Sequence, residues 1–429
     1  MTTSTATTTT QNLLDVLRPQ QQSEQWLAQA QQLNWDDFAV RAIAFGLAPQ
    51  IFARFQQWQA KIPPKALAKL AVTHKMQAQR SAAIDAQLAQ VLTACATANL
   101  HPVALKGVHL AACYYPEPAQ RPMNDIDLLF TPDELPRAEA LLLELGYGGK
   151  HKSAETGARV TKHTSTFRRE ETAKQNATPN PYLSASLDRT IEPHSSLEES
   201  WFGLKVDITP GIRDRLATAV LTPTAPACHV LNPTDLLHHI CLHFSFHLIQ
   251  GAPSFVQLTD LLVITQNQTS GRFLGSSGSF AKPPGGSFSE ERASEAARFA
   301  ASDANASTGK VEWDIFLQRV AEAKSAGYVL AALTLAQKLV GAPLPDHILP
   351  QLAEQTPASL RQRIAQMDLA YVLRRTQQKP LNTVADRLRR GVKDRIEIAR
   401  WAPTWGEKWR VWQTAVQFSR TDTAQMLRK

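Results

Sequence analysis

The sequence predicts an α/β (α+β) protein in which a small mixed sheet is flanked by helical regions on its N- and C-terminal sides. Two observations predict this class. Strand and helix signals alternate between residues 101 and 212, and the segments before and after show helical spacing with almost no strand signal. With 429 residues, of which 43% are hydrophobic and 20% charged, the chain can bury two or three domain cores.

Composition and periodicity divide the chain into five regions. They are a disordered lead-in at 1–10, a helical region at 11–100, an α/β core at 101–212 with a polar insertion at about 150–193, a helical region at 213–345 with a disordered Gly/Ser-rich insertion at about 266–310, and a basic helical region at 346–429. No apolar run of about 18 residues occurs, so no transmembrane helix is expected. The four cysteines are scattered, which predicts a reduced, cytoplasmic compartment.

The first two strands of the core have clear signals. Residues 102–105 form a short apolar run that ends at Lys106 and Gly107, as expected for a buried strand followed by a turn. A helix is predicted over Val108–Tyr115, and Asp125–Phe130 is the second strand. These elements place polar residues at the ends of buried strands.

The rest of the core follows the same pattern. Thr131, Pro132 and Glu134 have the spacing of a helix N-terminus, and Gly146 is a suitable residue to end that helix. Leu204–Ile208 is predicted as the third strand. Strand–helix–strand–helix–strand is therefore the predicted order of the core.

The candidate metal ligands are acids on these strands. Because side chains alternate along a strand, Asp125 and Asp127 project to the same side, roughly 6–7 Å apart. Such a pair suits Mg²⁺, with Mn²⁺ as a second candidate, and the ion would take its remaining ligands from water and a triphosphate. Asp207, on the next predicted strand, is expected to complete a two-metal site.

The candidate phosphate-binding residues lie beside these acids. Gly107 allows backbone N–H groups to approach a phosphate at a helix N-terminus, and Lys106 supplies a positive charge there. Arg121 precedes the acidic strand and is expected to reach a phosphate or the acceptor, with Asn124 as a second-tier candidate. An isolated Asp-x-Asp can equally be a solvent-facing strand end, so the prediction depends on the ordered set of elements.

The ordered set resembles a known family. The carrying segments are Val103-Ala104-Leu105-Lys106-Gly107-Val108-His109-Leu110, Tyr114-Tyr115, Arg121-Pro122-Met123-Asn124-Asp125-Ile126-Asp127-Leu128-Leu129, Leu145-Gly146-Tyr147, residues 235–243 and residues 258–262. Over about residues 80–345 the chain resembles the uncharacterised nucleotidyltransferase family of the polymerase-β-like superfamily. The resemblance implies a minimal nucleotidyltransferase core with helical flanks. Better-characterised members have Gly-Ser where this chain has Lys106-Gly107, and many have a histidine where it has Thr209.

A histidine series and a basic segment stand outside this core. His239, His243 and His247 recur every fourth residue on one helix face, which suits either packing against the core or, less completely, a zinc site. The resemblance places this helix beside the cleft, so His243 and His239 are second-tier candidates for contact with nucleotide or acceptor.

The basic segment is the last part of the sequence. Residues 373–429 carry 14 basic and 5 acidic side chains, whereas the rest of the chain has 32 basic and 33 acidic ones. Trp405, Trp409 and Trp412 share one helix face within it. They can either pack on the protein or, together with the basic residues, dock on an anionic membrane surface or on nucleic acid.

The sequence thus favours an Mg²⁺-dependent nucleotidyltransferase that moves a nucleoside monophosphate from an NTP to the hydroxyl of a small molecule, sugar or protein. One alternative is a catalytically weak nucleotide-binding regulatory module, like a partner in a toxin–antitoxin pair. Another is a metal-dependent glycosyltransferase, since those enzymes also use Asp-x-Asp. Their larger nucleotide-binding domain fits poorly into residues 101–210.

Overall fold

The computed structural model describes residues 3–151, 165–169, 189–266, 310–376 and 395–413. The helices are α1 Thr3–Leu17, α2 Ser23–Gln29, α3 Trp35–Ala44, α4 Ala48–Trp58, α5 Pro64–Thr97, α6 Lys106–Cys113, α7 Leu135–Glu144, α8 Pro233–Gln250, α9 Phe255–Gln266, α10 Trp313–Glu322, α11 Ala326–Val340, α12 Ile348–Glu354, α13 Ala358–Ala365 and α14 Leu369–Thr376. Residues 395–399 and 405–413 are also helical. The strands are β1 Val103–Ala104, β2 Asp125–Leu129, β3 Gly148–His151, β4 Ser165–Arg168, β5 Thr190–His194, β6 Glu198–Trp201, β7 Leu204–Asp207, β8 Ala217–Ala219 and β9 Cys228–Val230.

Local sequence fixes several helix ends. The side chain of Asn34 accepts hydrogen bonds from two backbone N–H groups at the start of α3, and Asn232 does the same for one at the start of α8. Thr131 and Glu134 exchange hydrogen bonds ahead of α7, which confirms the predicted capping pair. Gly146, at a φ of 85°, follows α7 in the left-handed conformation that glycine adopts without strain.

A seven-stranded mixed sheet organises the core, with the order β3-β4-β5-β2-β1-β9-β8. The pairs β2/β5 and β1/β9 are parallel and the other pairs are antiparallel. The predicted α/β class with a mixed sheet and flanking helices is therefore confirmed. Strands β6 and β7 form a separate two-stranded sheet.

Hydrophobic cores lie on both sides of this sheet. One face buries Ile126, Leu128 and Ile191 against the second half of α5 and against α7. The other face packs against a larger group of helices, α1 to α4, α8, α9 and α11, which we call the helical body. Because β2 and β5 lie in the middle of the sheet, polar side chains on their second face are enclosed between the sheet and this body.

Two parts of the structure differ from the sequence expectations. Helix α1 forms where a disordered lead-in was expected at 1–10, because Leu13, Leu14 and Val16 are fully buried and hold the helix on the body. The third predicted strand exists as β7, but it pairs with β6 and not with the main sheet. Most of the predicted insertions at 150–193 and 266–310 lies outside the described residues, although β4 and the start of β5 fall within the first one.

None of the four cysteines forms a disulfide. Among the described residues, no helix has both the length and the apolar character needed to cross a bilayer.

Candidate active site

Two adjacent parallel strands bring the acidic side chains together. The register of β2 and β5 aligns Asp125 with Thr190, Asp127 with Glu192 and Leu129 with His194. Paired residues of a parallel sheet project to the same side, so Asp127 and Glu192 lie next to each other. Asp127 is almost fully buried, whereas Asp125 and Glu192 are half-buried.

His194 completes this group. Oxygen or nitrogen atoms of Asp127, Glu192 and His194 all lie within 4.8 Å of one another, close enough to share one metal ion. His194 Nε2 is 2.7 Å from Asp127 Oδ1, so the imidazole also orients that carboxylate. The candidate metal site thus combines two carboxylates with one histidine.

Lys106 places a positive charge on the same carboxylate. Its Nζ donates a hydrogen bond of 2.7 Å to Asp127 Oδ1, and the side chain is buried. Burial lowers the pKa of Lys106, but the charges of Asp127, Asp125 and Glu199 outweigh burial, so the pKa is raised. The amine is therefore a fixed cation at neutral pH, and it sits where strand β1 gives way to α6.

The start of α6 is shaped by close backbone packing. Lys106 has a φ of 41°, which is unusual for a residue with a side chain and indicates local strain. Gly107 follows it, and a Cβ atom there would lie 2.9 Å from Arg121 Nη1 and 3.2 Å from Met123 Cβ. Glycine is thus required because the guanidinium of Arg121 lies directly against this turn.

Arg121 is held in place by a buried carboxylate. Its Nε and Nη2 donate to Asp260 Oδ1 and Oδ2 at 3.1 and 2.8 Å, and the hydroxyl of Tyr115 donates to Asp260 Oδ1 at 2.8 Å. Burial lowers the pKa of Arg121, but Asp260 outweighs that effect and the pKa is raised. Asp260 on α9 therefore fixes both Arg121 and Tyr115 in place.

Asp207 does not occupy the place expected from the sequence. It is exposed on β7, opposite Glu198 of β6, and its Oδ1 accepts hydrogen bonds from the backbone N–H and hydroxyl of Thr209. The expectation that its strand lies beside β2 is wrong, because β5 takes that position. Glu192 is the acid that the neighbouring strand contributes.

Sequence patterns did not identify Glu192 and His194 as site residues, and the reason is local. Pro193 separates them, and proline argues against a central strand because it cannot donate a backbone hydrogen bond. The signal available was the alternation of polar residues at 192 and 194 within a short segment. Only the pairing of β5 with β2 shows that this alternation faces Asp127.

The secondary candidates Asn124, His243 and His239 lie on different elements from the acidic group. Asn124 is exposed immediately before β2. His243 Nδ1 lies 3.0 Å from Oε1 of Glu199, a buried acid on β6. The centre of the His243 ring lies 4.2 Å from that of His247, with the two planes tilted by 51°. His239 is buried one turn earlier, with its ring 6.3 Å from that of His243. Within the described part of the chain, this series brings no third ligand atom close enough for a zinc site.

Comparison with known families gives a match over much of the chain. The model of a family described as uncharacterised nucleotidyltransferase matches residues 31–274, more than half of the chain. The chain belongs to this family. Comparison with curated proteins and with solved structures found no match.

Family membership agrees with the location of the site. The matched range contains β1, β2, β5 and α8, and therefore every residue of the metal and phosphate groups described above. Membership of the nucleotidyltransferase family indicates a transferase that acts on a nucleoside triphosphate. The family description names neither the acceptor nor the metal.

Proposed function

We propose that this protein is a divalent-metal-dependent nucleotidyltransferase that moves a nucleoside monophosphate from an NTP to an acceptor hydroxyl. The observation that carries the proposal is the group of Asp127, Glu192 and His194 on two paired strands, with Asp125 on the same face of β2. Lys106 bonds to Asp127, and Arg121 packs against the adjacent Gly107 turn. Acids and cations meet there in the arrangement that phosphoryl transfer requires.

The residues fit a divalent ion. Carboxylate oxygens are the ligands that Mg²⁺ prefers, and the nitrogen of His194 also suits Mn²⁺. The ammonium of Lys106 already lies on Asp127, which supports a preference for a cation at this position. When bound, the ion would neutralise phosphate charge and lower the pKa of the attacking hydroxyl.

The cations of the site act on the triphosphate. Arg121 is locked by Asp260, and its guanidinium faces the Gly107 turn, so its direction is set before the nucleotide arrives. Lys106 and the backbone N–H groups at the start of α6 add further donors for phosphate oxygens. We therefore assign Lys106, Gly107 and Arg121 to nucleotide binding.

The acceptor side is assigned to His243. Glu199 faces Nδ1 of this ring, which favours the tautomer with a basic Nε2. The charge of Glu199 also contributes to the raised pKa of Lys106, the cation that bonds to Asp127. In the transfer step the acceptor oxygen attacks the α-phosphorus, pyrophosphate leaves, and the hydroxyl proton passes to His243.

The test is nucleotide transfer with α-phosphate-labelled NTPs, Mg²⁺ or Mn²⁺, and a cell extract as the acceptor source. We expect Asp127→Asn and Glu192→Gln to lower transfer by roughly 10²–10³-fold, as when one transition-state charge contact is removed. Asp207→Asn is the matched control and should remain within about twofold of the wild type.

The two outcomes separate the candidate functions. Equal transfer by the wild type, Asp127→Asn and Glu192→Gln would reject the proposed site. Metal-dependent NTP binding without any labelled product would favour the regulatory nucleotide-binding module. The ion pair between Lys106 and Asp127 favours this second candidate, because the amine must move away before a metal ion can bind Asp127.

We also propose that the protein is located in the cytoplasm.

A further inference from the structure

Three exposed tryptophans lie on the basic part of the chain. Trp405, Trp409 and Trp412 are 84%, 65% and 40% exposed, whereas Trp401 is fully buried and stacks on Tyr328. Trp401 therefore packs on the protein, whereas Trp405, Trp409 and Trp412 keep exposed indole surface. Large aromatic side chains at this exposure leave much apolar surface in water.

The three side chains form a single surface, which we call the tryptophan face. They belong to the helix at 405–413, and at 3.6 residues per turn they fall within an arc of about 60°. Val411 lies toward the opposite side and is fully buried. The helix thus presents its indoles outward because its other side is occupied.

The anchoring of this helix is close and specific. A Cβ atom on Gly203, in the turn between β6 and β7, would lie 2.9 Å from the backbone of Arg410 and Val411. Gly203 also has a φ of 90°, a conformation that other residues adopt only with strain. The orientation of the tryptophan face is therefore set by the body of the protein.

Cations surround the tryptophan face. The Lys408 ammonium lies 4.7 Å from the centre of the Trp405 ring, and the side chains of Arg400 and Arg410 are more than half exposed. Two acids lie among these cations. Glu397 pairs with Arg363 and lies 3.8 Å from Arg400, and Glu407 caps the helix through Thr404 and lies 3.7 Å from Arg410. The four cations Arg363, Arg400, Lys408 and Arg410 outnumber these two acids. The local surface therefore combines indoles with positive charge.

A groove beside this helix is also lined by basic and apolar side chains. It is open to solvent and has a volume of about 590 Å³. Its lining consists of Arg363, Arg400, Lys408, Ile396 and Trp412 together with uncharged side chains. Among the residues that the structure describes, no acid lines this groove. An anionic headgroup could enter it while the indoles rest at the boundary of the acyl chains.

We propose that the tryptophan face docks the protein peripherally on an anionic lipid bilayer. Indoles prefer the headgroup boundary, where the ring is buried and its N–H remains hydrated, and basic residues add attraction to anionic lipids. A nucleic-acid duplex offers no apolar surface against which three adjacent indoles can pack. A two-fold contact between copies of the chain would bring like charges together.

The test uses the full chain and sedimentation with vesicles. One set contains phosphatidylcholine with about a third phosphatidylglycerol, and the other contains phosphatidylcholine alone. We expect binding to the anionic set, at least about tenfold weaker binding to the neutral set, and a decrease with added salt. Brominated lipids should quench tryptophan fluorescence in the bound state.

Variants identify the surface. Trp405→Ser/Trp409→Ser and Lys408→Glu/Arg410→Glu should each weaken binding by about tenfold or more, with an unchanged circular dichroism spectrum. The matched controls are Val40→Ser/Val72→Ser, which alter exposed apolar side chains elsewhere, and Lys75→Glu/Lys310→Glu, which alter exposed lysines elsewhere.

Four results would overturn the proposal. They are no binding at low salt, equal binding to both vesicle sets, equal loss in the control variants, and displacement of the protein from vesicles into a tighter complex with single-stranded RNA. Nucleotide transfer is measured in solution on the same variants. Because none of the substituted residues belongs to the proposed active site, loss of docking and loss of transfer are separately visible.

Discussion

Lys106 is a buried cation that holds a cluster of acids together. Asp127 has side-chain partners in Lys106 and His194, and Glu192 lies within 4.8 Å of the same group. Carboxylates this close repel each other unless a positive charge lies between them. The amine therefore stabilises the site in the absence of metal, and a bound metal would take over that function.

Removing the amine should make stability depend on metal. We expect Lys106→Met to lower the free energy of unfolding by about 3–5 kcal/mol in the presence of a chelator, because an uncompensated buried charge remains. Added Mg²⁺ or Mn²⁺ should restore a large part of this loss and should stabilise the wild type less. Urea unfolding with and without the ions measures both effects.

A second lysine provides the control for this substitution. Lys205 bonds to Glu198 at 2.5 Å, but its side chain is 61% exposed. Lys205→Met should therefore cost no more than about 1 kcal/mol and show no dependence on metal. Equal stabilisation of Lys106→Met and the wild type by the ions would contradict the assignment of Asp127 as a ligand.

At the scale of elements, strand pairing and close packing constrain the start of α6. It follows β1 directly, and the backbone N–H of Leu105 donates to the carbonyl of Asp127 on β2. Lys106 then takes a left-handed conformation, and Gly107 leaves room for Arg121. Strand pairing, turn and arginine are thus mutually dependent.

Filling the space at Gly107 should disturb both folding and nucleotide binding. We expect Gly107→Ala to displace the Arg121 guanidinium, with a loss of about 1–3 kcal/mol in stability from overpacking. NTP affinity, measured by calorimetry, should fall by roughly tenfold, the scale of one weakened charge-assisted contact.

Gly406→Ala is the comparison for this change. Gly406 lies in the helix at 405–413, and a methyl group at this position would meet no atom of the other described parts of the chain within 4 Å. Alanine there should leave stability unchanged or raise it by about 0.5–1 kcal/mol. Wild-type NTP affinity in Gly107→Ala would show that Arg121 does not require its observed position.

At the scale of the whole molecule, one buried ion pair joins the sheet side to the helical body. Arg121 and Tyr115 come from the segments between β1 and β2, whereas Asp260 lies on α9 in the body. Asp260 is fully buried, and its partner Arg121 is the arginine that we assign to nucleotide binding. The same carboxylate therefore connects fold stability with the direction of that arginine.

Neutralising this carboxylate should affect both properties. We expect Asp260→Asn to lower the free energy of unfolding by about 3–5 kcal/mol, because a buried guanidinium loses its counter-charge. NTP affinity in the folded protein should fall as well, since Arg121 is released. Thermal unfolding and calorimetric titration measure the two effects.

The control is an exposed ion pair in the helical body. Asp36 bonds to Lys69 at 2.6 Å but is more than half exposed, so Asp36→Asn should leave the unfolding temperature close to that of the wild type. Should Asp260→Asn reduce stability and leave NTP affinity unchanged, Asp260 would be a structural residue that does not position Arg121.

The sequence by itself determined the local elements of the core. Apolar runs and capping residues predicted β1, β2, β7 and α7 within a few residues of their observed bounds, because strand burial and helix capping depend on neighbours in the chain. The spacing of Asp125 and Asp127 placed them on one face for the same reason. Short sequence segments likewise identified the Lys106-Gly107 turn and the resemblance to the family.

Only the tertiary structure decided which distant segments meet. Strand pairing across long loops placed β5 beside β2 and left Asp207 on a separate hairpin, so Glu192 became the third acid. The burial of Trp401 and the exposure of Trp405, Trp409 and Trp412 were also undetermined, because the same helical spacing suits a packed or an exposed face. Sequence periodicity specifies a face, whereas the partner of that face depends on the packing of the whole chain.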